Sequence, residues 1–341
     1  MQITAKAYAR IGLLGNPSDG YYGRTIACTI TNFAATVTLT ESPRFAIKLH
    51  PRFDPTEFTS IAELREVAAR DGYYGGYRLL YATCKKLADY CDHKDIPLHD
   101  RKCSIRYDTT IPRQVGLAGS SAIITAAIKA LRQFYGITDE QLPKEIQPNL
   151  VLNVEEEELD IGAGLQDRVI QTYGGLVYMD FDKRLLDERG YGHYEPLDPA
   201  TLAPLFLAYL SRPKDSGKMH SGVRARWHRG DPEVVEAMRT FARYATEGKQ
   251  ALAERDYETF GRLMNENFDL RLKIFGREVI GEQNMEMIGI ARAVHAPAKF
   301  SGSGGAVVGM CRDDAQLQRL RGEYERRGYS FVKVQVDPGN R

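Results

Sequence analysis

Residues 112–126 read PRQVGLAGSSAIITA, and the change of character inside them decides the architecture. Upstream, KCSIRYDTTIP (102–112) alternates in the manner of a strand and stops at Pro112. Downstream, AIITAAIKALRQFYG has the propensities and length of a buried helix, with Gly136 placed to end it. Between them lies a loop of small residues. Small residues let backbone N–H groups approach an anion, and the helix N-terminus adds partial positive charge, so a phosphate chain fits there. Ser120 and Ser121 can add hydroxyl contacts to phosphate or Mg²⁺. A Gly/Ser turn closed by a serine cap explains the same residues, and physics alone leaves the two readings level.

Outward from this segment, strands and helices occur in both halves of the chain. From Ala5 to about Leu49, stretches such as RTIACTITNFAATVTLTE read as several strands. Helical spacing follows from Ile61 to Cys91, interrupted by DGYYGGY. The stretch from Leu150 to Tyr173 is helical but broken at IGAGLQD, and GGLVYMDF and PLFLAYLSR are strands. Residues 231–294 are mainly helical, AKFSGSGGAVVG is strand and loop, and a polar-faced helix and a strand end the chain. This is an α+β pattern, with a boundary expected near 190–210.

A chain of 341 residues suits two domains and a sizeable core. Its 46 basic and 45 acidic side chains leave a net charge of +1, which gives no reason to expect nucleic acid or a membrane surface as partner. No run approaches the roughly 18 apolar residues of a membrane span, and no apolar stretch follows a basic start, so the expected compartment is the cytoplasm. Five cysteines without CxxC spacing argue against a disulfide framework or a zinc site, and the seven histidines stand apart from other ligands. There is no G-x-x-x-x-G-K-[ST], and neither IGAGLQD nor SGSGGAVVG completes G-x-G-x-x-G between strand and helix. A different nucleotide fold is needed.

PRQVGLAGSSA resembles the second motif of the GHMP kinases, ARIGLLGNPSDGYYG (9–23) resembles their first, and KFSGSGGAVVG (299–309) resembles their third. All three stand in the family's order across nearly the whole chain. The resemblance implies a two-domain α+β fold, with a ribosomal-protein-S5-like N-terminal domain (1–200) and a ferredoxin-like C-terminal domain (201–341). It implies ATP held by Pro112, Gly116, Leu117, Ala118, Gly119, Ser120, Ser121 and Ala122. Asn16, Ser18, Asp19 and Arg24, with Gly302, Ser303 and Gly304, are then expected to meet the acceptor.

By the same resemblance Asp167 is the catalytic aspartate and Arg10 its neighbour. Glu155, with Glu156 as the fallback, and Ser121 would hold Mg²⁺, which prefers few protein oxygens plus phosphate and water. Without the resemblance, Asp167 reads as a surface aspartate, Arg10 as a surface arginine and the run Glu155–Glu158 as a solvated helix face.

Departures narrow the acceptor. Galactokinase-type first motifs carry Gly-Glu-His where this chain has Gly15, Asn16 and Pro17, which argues against galactose, while Ala118 stands where many relatives have glycine. GLLGNPSDGYYG together with GLQDRVIQTYGGLVYMDF resembles the glucuronokinase branch of the family. The implied acceptor is the anomeric hydroxyl of D-glucuronate, with another sugar, a heptose or a mevalonate-like alcohol as alternatives, or a catalytically silent sensor of the same fold. A sugar acid needs a cation for its carboxylate, and the expected candidates are Arg24, Arg168 and Arg212, with Lys214 beside the last.

Overall fold

The computed structural model describes residues 1–71, 75–211 and 221–339. Two long strands open the chain, β1 (Gln2–Leu14) and β2 (Arg24–Glu41), within the stretch read as several strands. The reason for their length is in the sequence: neither segment contains a proline, and β-branched residues recur through the second without a turn signal. Then come β3 (Ala46–Ile47), α1 (Ile61–Asp71), α2 (Tyr77–His93), β4 (Cys103–Thr109) and α3 (Gly119–Tyr135). Next are α4 (Gln147–Asn153), α5 (Leu165–Tyr173), β5 (Leu176–Asp180), α6 (Lys183–Arg189), β6 (His193–Leu197) and β7 (Leu205–Leu210). The remaining helices are α7 (Ser221–His228), α8 (Pro232–Glu254), α9 (Tyr257–Phe275), α10 (Arg277–Ile280), α11 (Glu282–Ala293) and α12 (Asp314–Arg326). Three short strands, β8 (Ala298–Phe300), β9 (Ala306–Met310) and β10 (Tyr329–Lys333), complete the order.

Contacts group the chain into two units built from non-contiguous segments. The first comprises Met1–Ala9, Phe33–Ile111 and Ala118–Thr172. In it the far end of β2 pairs antiparallel with β4, Ala35 opposite Thr109, and β3 adds parallel to β4. Helices α2 and α3 pack on each other and on β4. Their facing side chains, Leu80, Leu87, Ile124, Ile128 and Leu131, are buried with Ile105 of the strand.

The second unit comprises Arg10–Asn32, Pro112–Leu117 and Tyr173–Arg341. The near end of β2 pairs with β5, Arg24 opposite Asp180, and β5 pairs with β6. A separate four-stranded sheet runs in the order β10-β7-β9-β8, every pair antiparallel. Helices α9, α11 and α12 lie against its strands, and α8 packs on α9. Phe206, Phe241, Phe268, Phe300, Leu320 and Tyr324 form the centre of that core.

Helix α3 begins and ends as its sequence suggests, with Gly136 left-handed at the C-terminal cap (φ 71°). The residue before its first turn, Ala118, is also left-handed, at φ 59° and ψ 48°. A non-glycine residue held there costs about 1–2 kcal/mol, while glycine would return ~0.5–1 kcal/mol in chain entropy. Ala118→Gly should therefore raise stability by about 0.5–1 kcal/mol in urea denaturation. A lowered midpoint would show that this backbone carries no strain.

Candidate active site

In the first unit, α4 continues into a wider π-turn over Val154–Glu158 before the chain breaks and restarts as α5. One extra residue in a helical turn re-aims the side chains it carries, and such turns recur at functional sites. Here it turns Glu155 inward, with no exposed surface. Its Oε1 accepts the Ser120 hydroxyl at 2.6 Å, and its Oε2 accepts Nε of Arg168 at 2.7 Å together with that residue's Nη2. Arg168 also donates Nη1 to the Gly164 carbonyl at 2.8 Å, which ties it to the broken segment ahead of α5. The neighbouring Asp167, in the first turn of α5, lies 3.5 Å from Arg168 Nη1 and accepts from Gln166 Nε2 at 3.4 Å.

The two serines differ in their partners. Ser121 is buried and donates to Gln171 Oε1 at 2.7 Å, while Gln171 Nε2 bonds the carbonyls of Tyr8 and Ala118. Its hydroxyl braces the start of α3. The hydroxyl joined to Glu155 is that of Ser120, not Ser121 as expected for a metal pair. Among the described residues no three His, Cys, Asp or Glu side chains cluster as a metal cage. Ser120 Oγ and Glu155 Oε1 are nonetheless two hard oxygens in contact, which suits Mg²⁺, since that ion keeps phosphate and water as its other ligands. Of the other acidic residues in the run, Glu156 accepts the Ala163 N–H, and Glu157 and Glu158 face Lys85 and Lys86. Glu157 and Glu158 form an ion-paired face, and Glu156 caps a backbone N–H.

In the second unit the three glycine-bearing motifs meet backbone to backbone. Gly12 N donates to Ser301 O at 2.9 Å, and a Cβ on Gly12 would lie 2.7 Å from that oxygen. A Cβ on Gly302 would lie 2.4 Å from Gly116 O, and one on Gly116 would lie 2.8 Å from Gly304 O. Arg10 threads this contact: it is 5 % exposed and donates Nη1 to Gly116 O at 2.7 Å. Only glycine permits so close an approach.

Lys299, at the head of the third motif, is fully buried. Its Nζ donates to Gly12 O (3.0 Å), Asn16 Oδ1 (2.6 Å) and Phe300 O (2.7 Å). Burial, reinforced by the charges of Arg271 and Arg10, pushes its pKa well below the ordinary lysine range. Asn16, expected to contact an acceptor, is thus a ligand of this ammonium and is 3 % exposed. Ser18 is buried too, its hydroxyl donating to Arg24 O at 3.0 Å and accepting Arg24 N–H at 3.1 Å. Both shape the loop from within. Asp19 is half-buried on the following turn, where its charge acts on Tyr21 and Arg271.

Two of the arginines expected to await a substrate carboxylate already hold protein ones. Arg24 Nε meets Asp180 Oδ2 at 2.7 Å across the β2–β5 pair, and Arg168 holds Glu155. Arg212 and Lys214 lie outside the described residues. Sequence reasoning passed over Lys299, Gln171, Asn267 and Arg271. Asn267 accepts Gly15 N–H at 2.8 Å and donates to Asn16 O at 3.1 Å, which fixes the first motif. A signal existed for the last of these: the buried positions of α9 recur as Phe260, Leu263, Met264, Asn267, Phe268, Arg271, Ile274 and Phe275, so Asn267 and Arg271 interrupt an apolar stripe.

Two glycines with phosphate-binding expectations now separate. Gly116 has φ +69° and no room for a Cβ, whereas a Cβ on Gly119 would meet only Ile111, at 3.6 Å. Gly116→Ala should lose about 1–3 kcal/mol of stability, and Gly119→Ala should unfold within ~0.5 kcal/mol of the parent. Chemical denaturation of both variants checks this, and equal losses would contradict the placement.

Comparison with known proteins gives the family. Residues 78–175 match the family model described as GHMP kinases N terminal domain, and residues 249–330 match GHMP kinases C terminal. The chain belongs to the GHMP kinase family. It is 48% identical over 337 residues to Glucuronokinase 1 of Arabidopsis thaliana, covering 98% of this chain and 92% of that protein. It is 27% identical over 309 residues to a mevalonate kinase of Methanothermobacter thermautotrophicus, covering 89% and 88% of the two. Among solved structures, the Lin0012 protein from Listeria innocua superimposes with a TM-score of 0.79 at 16% identity, covering 98% of each chain. Galactokinase of Lactococcus lactis, solved with galactose, gives 0.72 at 15% identity, covering 98% of this chain and 93% of its own. At that identity the likeness shows the fold. No described helix is long and apolar enough to cross a membrane.

Proposed function

We propose that this protein transfers the γ-phosphoryl group of ATP to the anomeric hydroxyl of D-glucuronate, giving glucuronate 1-phosphate and ADP. The observation that carries the reading is the 48% identity to a glucuronokinase over nearly the full length of both chains, joined to the three motifs whose close contacts are described above. The reading keeps the division expected from sequence, with the phosphate loop in 1–200 and the third glycine-rich loop in 201–341.

The residues have distinct tasks in this reaction. The start of α3 offers N–H groups and the positive end of a 17-residue helix to the phosphate chain. Asp167 orients the anomeric hydroxyl and accepts its proton as the new P–O bond forms and the bond from the γ-phosphorus to the ADP oxygen breaks. Because phosphoryl transfer is loose and charge-rich, positioning and neutralisation count for more than proton removal. Arg10, held on Gly116 O, supplies positive charge for the transferring group. Ser120 and Glu155 would hold Mg²⁺, which neutralises phosphate charge when bound. Arg168 fixes Glu155 in place.

A coupled ADP-release assay over uronic acids, neutral hexoses and mevalonate tests the acceptor. Turnover should be highest with glucuronate; a better rate on any neutral acceptor would overturn the assignment. Asp167→Asn keeps the shape and removes the basic charge. It should lower kcat by about 10²–10⁴-fold while ATP and sugar binding stay within a few fold. Near-parental turnover in this variant would remove Asp167 from the reaction.

A further inference from the structure

Arg271 is the one arginine on the buried stripe of α9, and it is 2 % exposed. Its Nη1 donates to Gly302 O at 3.0 Å. The guanidinium carbon lies 5.0 Å from the ring centre of Phe275 and 5.4 Å from that of Phe300, so the group is wedged among aromatic and backbone atoms. Its other two nitrogens, Nε and Nη2, are shielded from water and have no hydrogen-bond partner. Buried donors are normally satisfied, and a buried cation is normally paired. Arg271 forms no ion pair among the described residues. Burial lowers its pKa to about 10, so it is still charged at neutral pH, and the charges acting on it there are those of Asp19 and Arg10.

The two idle nitrogens are a specific pair. Nε–H and the outer Nη2–H point from the same edge of the planar group, the edge that receives both oxygens of one carboxylate. Lysine would offer no such edge. Position also matters, because two guanidinium groups flank Gly302. A Cβ there would stand 2.9 Å from both Nη atoms of Arg10, while Arg271 bonds the same residue's carbonyl. One of these cations is engaged with the Gly116 carbonyl, and the other keeps two buried donors unmatched beside the same glycine.

We propose that the Nε–Nη2 edge of Arg271 is the carboxylate subsite for the acceptor, and that this residue selects a sugar acid over a neutral sugar. The assignment rests on the sugar-acid kinase reading above. It replaces Arg24 and Arg168 in that role, since both already hold protein carboxylates.

The test compares glucuronate with glucuronamide, which has the same shape and no charge. Steady-state rates and calorimetric binding are measured for the parent, Arg271→Gln and Arg271→Lys, each in the full chain with ATP. The parent should prefer the acid in kcat/KM. Arg271→Gln should reduce that preference by about 30-fold or more, the scale of truncating one member of a buried charge pair. KM for ATP should stay within about 3-fold, since no uniform loss of binding is expected. Arg271→Lys, which keeps charge without the fork, should fall between the two. A parent that is active on sugar acids and an Arg271→Gln variant with an unchanged acid-to-amide ratio would sink the subsite alone. Parallel losses for acid, amide and ATP would assign Arg271 to bracing Gly302 instead. If Arg271→Gln does not fold, Arg271→Lys decides, and a parental ratio in it overturns the proposal. A parent that phosphorylates no sugar acid overturns the kinase reading and the subsite with it.

Discussion

The second unit depends on a constraint of distance: three loops approach so closely that no side chain fits between their backbones. Gly12 lies on Ser301, Gly116 on Gly304, and Gly302 on Gly116, with contacts that a single Cβ would close to under 3 Å. Such packing leaves carbonyl oxygens facing inward, and they need donors. Arg10 serves Gly116, Arg271 serves Gly302, and Lys299 serves Gly12 and Phe300. The cations are thus placed by the needs of the backbone before any ligand is considered.

That solution concentrates positive charge. Lys299 feels Arg271 and Arg10, and Arg271 feels Arg10, each unfavourably. Carbonyl dipoles offset part of this cost, and Asp19 acts on Arg271 in the stabilising sense. A cluster of cations arranged this way favours an anion. The first unit resolves its charges differently. Its buried carboxylate, Glu155, is matched directly by Arg168 and by a serine hydroxyl, and removing either partner of such a pair would leave a lone buried charge. One unit closes its ion pair internally, while the other keeps part of its cationic hydrogen-bonding capacity unspent.

Much of this was legible in the chain as written. The strand, small-residue loop and apolar helix around PRQVGLAGSSAIITA could be read because local propensity and tertiary packing agree there. The order of the three motifs pointed to the family, which the family models and the relatives show. The helical character of residues 231–294 was equally plain, since α8, α9 and α11 each carry an apolar stripe. The long uninterrupted strands were harder to anticipate, because strand length depends on partners that lie far away in sequence.

What the sequence by itself determined was the α+β character, the strand, small-residue loop and helix around residues 112–126 and the family, all properties written in neighbouring residues. The tertiary structure alone decided which polar groups spend themselves on one another. Arg24 looked available until β5 brought Asp180 beside it, and Arg168 until a π-turn swung Glu155 inward. Ser121 and Ser120 are adjacent in the chain, yet one braces Gln171 and the other meets Glu155. Arg271, unremarkable among many arginines, became distinctive only when α9 buried it with two donors unmatched. Hydrogen bonds and ion pairs act over about 3–4 Å, so their assignment depends on which distant segments the fold brings together.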